Sequence, residues 1–140
     1  MSQENVKLMY RAVDAFNGRD LDAHLALMDD DVEVIPRVGA MEGESSYRGH
    51  DGVRRWWNDV LDVFPDWKVE VVEVRDLGDL TLATIRLSGH GAGSAAPTDQ
   101  ATWQVGRWRR AKCVWWRTFQ TRAEALEAVG LSEQDAHAES

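Results

Sequence analysis

The sequence predicts an α+β domain: a curved antiparallel sheet closed on one side by helices, with a cavity between them. Three observations carry this. Apolar residues recur at spacings of three and four through residues 3–28 and again over 52–64, with one short strand between. From Trp67 onward the apolar period falls to two and persists through four segments. A capped helix then closes the chain. Helices grouped before strands imply α+β and not a doubly wound sheet. A sheet wrapped around helices leaves space on its concave face, where a small molecule would bind.

The elements follow in order. Val6, Met9, Tyr10, Val13 and Phe16 form one stripe of a helix over 3–17. Gly18 suits the residue just past its end, and Asp20 suits the N-cap of a second helix over 20–28, with His24 beside Leu21, Leu25 and Met28. Asp31–Pro36 reads as a strand whose faces are Val32/Val34 and Glu33/Ile35. The glycine- and serine-containing stretch 37–50 reads as a loop. Asp51 is placed to cap a third helix over 52–64, with Val53, Trp56, Trp57, Val60 and Phe64 inward and Pro65 as its stop. Strands are predicted near 67–74, 80–89, 99–108 and 113–120, the last two joined by Arg109–Lys112. Thr121-Arg-Ala-Glu124 is a capping box opening a helix that Gly130 ends.

The chain has 140 residues and a formal net charge of −8, which fits one domain, here 1–131, with a polar tail over 132–140. The acidic balance argues against nucleic-acid binding, and the short apolar runs argue against a membrane span. The N-terminus lacks the apolar core of a signal peptide, so the expected location is cytoplasmic. Cys113 is the single cysteine, and the histidines at 24, 50, 90 and 137 lack ligand spacing, so no metal and no cofactor are expected. The unusual number is seven tryptophans against two tyrosines and three phenylalanines.

Four segments carry a resemblance: Ala15-Phe-Asn-Gly-Arg-Asp-Leu-Asp22, Leu27-Met-Asp-Asp-Asp-Val-Glu33, Tyr47-Arg-Gly-His-Asp-Gly-Val53 and Arg122-Ala-Glu-Ala-Leu-Glu-Ala-Val-Gly-Leu131. In this order the chain resembles the SnoaL-like branch of the nuclear-transport-factor-2-like superfamily. The resemblance implies a cone-shaped domain with three N-terminal helices, a short C-terminal helix, and a homodimer formed through the outer sheet face. It does not imply one activity, since relatives include polyketide cyclases, steroid isomerases, hydrolases and binding modules. Steroid-isomerase-like relatives place an acid just before the strand proline, where this chain has Ile35.

Two readings of function stay open. In one, general acid–base chemistry acts on a small, mostly apolar substrate: Glu33 or His90 moves protons and Arg86 holds a developing anion. The competing reading of Glu33 is an ion pair at the rim, and that of Arg86, Ser88 and His90 is a solvated outer face. In the other, the domain binds a small molecule, or dimerises, without catalysis. In either case the expected ligand-binding residues are Tyr10, Ile35, Trp56, Val60, Trp103 and Trp116. Alternation sends Trp115 and Trp116 to opposite faces, one toward the cavity and the other toward a partner.

Overall fold

A computed structural model describes residues 3–36, 46–90 and 97–130. Expectations for the loop 37–45, the connection 91–96, His137 and the tail lie outside the described residues.

The elements are α1 (Gln3–Asn17), α2 (Leu21–Leu25), β1 (Met28–Ile35), β2 (Tyr47–Arg48), α3 (Gly49–Val63), β3 (Lys68–Asp76), β4 (Leu80–His90), β5 (Pro97–Arg109), β6 (Lys112–Phe119) and α4 (Arg122–Ala128). The α+β class stands. The six strands form one curved sheet in the order β2-β1-β6-β5-β4-β3. Its pairings are antiparallel except β1–β6, which is parallel. That exception corrects the purely antiparallel expectation. β1 meets β6 across most of the chain, so no hairpin turn dictates their relative direction.

Several boundaries differ for local reasons. α2 stops at Leu25, and β1 begins already at Met28. Asp20 does cap α2, accepting from the Ala23 amide at 3.1 Å. α3 begins at Gly49 behind Arg48, which makes no side-chain cap, and Asp51 lies in its first turn paired with Arg54 at 2.7 Å. The left-handed residue after α1 is not Gly18 but Arg19, at φ 56°. Its guanidinium offsets the strain by donating to the Phe16 and Trp67 carbonyls at 2.9 and 2.7 Å.

The β5–β6 turn places Arg110 and Ala111 at φ 53° and 64°, the mirror-image geometry that suits strand twist. A bulge follows, since Arg107 faces Trp115 while Trp108 faces Cys113, leaving Val114 as the extra residue. Trp108 lies two residues from Gly106, the partner of Trp116, so alternation puts the two rings on the same side, edge to face at 6.5 Å. Thr121 caps α4 by accepting from the Glu124 amide at 3.2 Å. The Glu124 carboxylate accepts from the Thr121 hydroxyl at 2.9 Å, which differs from the reciprocal carboxylate-to-amide bond the capping box predicts.

The main core lies between the helices and the inner sheet face, with Met9, Val32, Val34, Val53, Trp57, Ile85 and Trp116 among its buried members. A smaller cluster of Leu82, Val105, Phe119, Ala125 and Leu126 sits beneath α4, with Trp103 and Trp115 packed against it. At the far sheet edge, α1 clips β3: the Asn17 side chain donates to the Val69 carbonyl at 2.7 Å and accepts from the Val69 amide at 2.9 Å.

Candidate functional site

Between the inner face and the helices lies a cavity of about 160 Å³. Its helical wall is Ala12, Val13 and Phe16 of α1, His24 of α2, and Trp56 and Val60 of α3. Phe64 and Trp67, stacked at 4.2 Å, and Val69 form the next side. The sheet contributes Leu87, Gln100, Thr102, Gln104, Trp116 and Thr118, and Pro36 closes the end of β1. Among the described residues, no lining residue carries a carboxylate, a lysine or an arginine.

The strands aim these side chains by alternation. Gln100, Thr102 and Gln104 share one face of β5, and Trp116 and Thr118 share one face of β6. Gln104 pairs with Thr118 across the ladder. Two polar atoms at this wall are buried without a hydrogen-bond partner: Thr102 Oγ1 and Trp116 Nε1.

Among the described residues, His24 is the one titratable group of the lining. It sits against Trp56, at 6.2 Å and nearly parallel, and Trp57. Its Nδ1 accepts from Trp57 Nε1 at 3.2 Å, which assigns the proton of the neutral ring to Nε2. Burial pushes its pKa down to about 4, so the imidazole is uncharged at neutral pH. Cys113 is also buried, and burial pushes its thiol up to about 12, which leaves it unreactive.

Of the expected ligand-binding residues, Trp56, Val60 and Trp116 line the cavity. Tyr10, Ile35 and Trp103 are not among the lining residues. Tyr10 is 43% exposed; the buried stripe of α1 runs through Leu8, Met9, Ala12, Val13 and Phe16. At 100° per residue, a stripe centred on Met9, Val13 and Phe16 widens toward Ala12 and away from Tyr10. On β1, Val32 and Val34 are buried in the core, so Glu33 and Ile35 take the opposite face. Trp103 packs against the cluster under α4.

The structure does not bring Glu33, Arg86 and His90 together. Glu33 lies 3.4 Å from Arg48 on the neighbouring strand. Arg86 makes two bonds to Asp99, at 2.8 and 2.6 Å, which raise its pKa and hold the Asp99 carboxyl below its usual range. His90 meets Asp66 through its backbone amide and Nδ1, each at 2.7 Å. Those bonds, the backbone one first, lower the Asp66 pKa.

The sequence reading missed Thr102, Gln104 and Thr118. Their signal was the period-two step from Trp116 to Thr118 and, across the hairpin, to Gln104. Trp115 and Trp116 do divide between faces: Trp116 lines the cavity and Trp115 packs with the cluster under α4.

Comparison with known proteins agrees with this architecture. Residues 9–120 match the family model described as SnoaL-like domain. No curated protein matches the sequence. An NTF2-like protein of unknown function from Burkholderia pseudomallei K96243 superposes with a TM-score of 0.76 at 18% identity, over 91% of this chain and 98% of that one. A candidate SnoaL-like polyketide cyclase from Jannaschia sp. CCS1 gives 0.75 at 18%, over 91% and 92%. IdmH, a candidate polyketide cyclase from Streptomyces antibioticus, gives 0.71 at 19%, over 90% and 98%.

Proposed function

We propose, from the premise that this chain belongs to the SnoaL-like domain family, that it binds a small, mostly apolar organic molecule in the cavity between helices and sheet. The observation that carries this reading is a cavity of about 160 Å³ walled by aromatic and aliphatic side chains, with a few uncharged polar groups on one side. Such a lining favours burial of an apolar body and orients it through a few hydrogen bonds.

Binding without acid–base catalysis has the stronger support. Among the described residues no carboxylate lines the cavity; Glu33 and Arg86 are each held in an ion pair and His90 in a hydrogen bond with Asp66, and none of the three is a lining residue. The polyketide cyclases among the structural neighbours fit a polycyclic or polyketide-like ligand class. A homodimer through the outer sheet face remains the proposed assembly, since Trp103, Trp115 and Ile35 stay half-exposed there in the single chain. A monomeric mass by light scattering at micromolar concentration would contradict it.

Tryptophan fluorescence tests the binding reading, because Trp56, Trp67 and Trp116 line the cavity. Aromatic and polyketide-like compounds should quench it saturably. Val60→Phe, which fills the cavity, should abolish quenching while the circular dichroism spectrum stays unchanged. Quenching that never saturates, or that persists in the filled variant, would overturn the reading.

A further inference from the structure

The walls of the cavity are not equally tied. The lining residues of α1, α3 and the strands sit in helices or in ladders with regular backbone bonds. Phe64 and Trp67 sit instead in the connection 64–67 between α3 and β3. This stacked pair is the inner side of the turn and lines the cavity. Its outer side is Pro65 and Asp66, both exposed. One layer of chain therefore separates the cavity from water here. Among the described residues, the backbone–backbone bonds of the turn are local. The Phe64 amide donates to the Val60 carbonyl at 2.8 Å, and the Trp67 amide to the Phe64 carbonyl at 3.1 Å.

Side chains tie the turn down on both flanks. On the α1 side, the Arg19 guanidinium donates to the Trp67 carbonyl at 2.7 Å and reaches the Pro65 carbonyl at 3.4 Å. It also donates to the Phe16 carbonyl at 2.9 Å and lies 5.1 Å from the centre of the Phe16 ring. A tie bound this closely to α1 suits a pivot. On the β4 side, Asp66 accepts from the His90 amide and from His90 Nδ1, each at 2.7 Å. Both side chains are about half exposed, so water replaces these bonds at low cost. Beside His90, the Trp67 ring rests against Gly89, where a methyl would lie 2.9 Å from it. β4 thus offers the ring a smooth seat with a polar latch next to it.

We infer that the Phe64–Trp67 turn is a gate of the cavity, pivoting on Arg19 and held shut by the latch between Asp66 and His90. This rests on the binding function proposed above and assigns a route of entry to it. Opening lifts the Phe64 and Trp67 rings together and lets the ligand pass over Gly89. A gate that is shut in both the free and the bound protein governs the rates of entry and release and leaves the affinity nearly untouched.

The test uses the full chain and the uncharged probe N-phenyl-1-naphthylamine, whose fluorescence rises on leaving water, mixed by stopped flow at pH 7. Val60→Phe identifies the part of the signal that comes from the cavity. Asp66→Ala should raise the association and dissociation rates together by about three- to fivefold, the scale of a half-exposed polar pair, with Kd held within about twofold. His90→Ala keeps the amide bond and should give a smaller rise of the same kind. The double variant should match Asp66→Ala, because both changes cut one latch. Asp99→Ala, which cuts an exposed pair with Arg86 between β4 and β5, should leave both rates at their wild-type values. Unchanged rates in Asp66→Ala and His90→Ala overturn the gate while the binding function stands. A rise in dissociation alone, with Kd weakened to match, overturns it too. A wild-type chain without saturable probe binding that Val60→Phe blocks removes the binding function and the gate together.

Discussion

The two faces of the sheet use polar residues in opposite ways. On the outer face the polar groups are charged, exposed and already paired, as with Arg86 and Asp99 or Arg48 and Glu33. On the inner face they are uncharged, buried and in part unpaired, as with Thr102 and Trp116. Charged residues at strand spacing are the more conspicuous pattern in a sequence, yet here they satisfy one another in water. The quieter threonines and glutamine face the cavity. Unmet hydrogen-bonding capacity, more than charge, separates the cavity wall from the solvated one.

The comparison can be broken hardest at His24. Burial sets its folded pKa at about 4, against an ordinary 6.5. As pH falls, the unfolded chain takes up the proton first, so the contribution of the neutral ring is full above about pH 6.5. It declines down to about pH 4 by roughly 1.4 kcal/mol per unit, roughly 3 kcal/mol in all. His24→Asn keeps an acceptor for Trp57 Nε1 but cannot titrate. Urea unfolding at pH 7 and pH 5 should show a large loss for the wild type and a clearly smaller one for the variant. Equal losses would mean that the histidine is solvated.

A smaller effect is expected at Gly89, which lets β4 pass close to Trp67. A methyl there would lie 2.9 Å from the Trp67 ring and 3.0 Å from Asp66 Oδ1. Gly89→Ala should cost about 1–3 kcal/mol, the range for overpacking. Because Trp67 lines the cavity, the variant should also show a shifted tryptophan emission maximum. An unchanged spectrum and unchanged stability would show that β4 has slack at this point.

The smallest effect sharpens the contrast from the other side. Arg86→Ala removes an exposed ion pair of the outer face, and exposed pairs contribute little. Its thermal midpoint and its ligand affinity should match the wild type within error. A marked loss of affinity would restore Arg86 to the acid–base reading.

Much of the fold was legible because it is written in short-range periods. The stripe of α1, the long alternation of β4 and the Thr121 cap each depend on residues a few positions apart. The parallel pairing of β1 with β6 depends on two segments some eighty residues apart, and no local pattern encodes its direction. The site was less legible for a related reason. Alternation separates Glu33 from Val34 but does not say which of the two faces inward; that is fixed by the pairing of Val34 with Trp116. Tyr10 was misjudged because an aromatic ring outweighs an alanine in any apolar pattern, although the close approach of α1 to the sheet favours the small Ala12 at that position. Helical spacing set His24 beside Leu21, Leu25 and Met28. Its place on the cavity required the positions of Trp56 and Trp57 from a helix thirty residues away.

The clip between Asn17 and Val69 has a consequence beyond the domain itself. β3 is the last strand of the sheet, and its sequence Val69-Glu-Val-Val-Glu-Val74 is the kind that recruits further strands from other molecules. One amide side chain occupies both the N–H and the C=O that Val69 would offer to such a neighbour. Asn17 thus fills the rung of this edge at Val69, where an incoming strand would otherwise find both a donor and an acceptor.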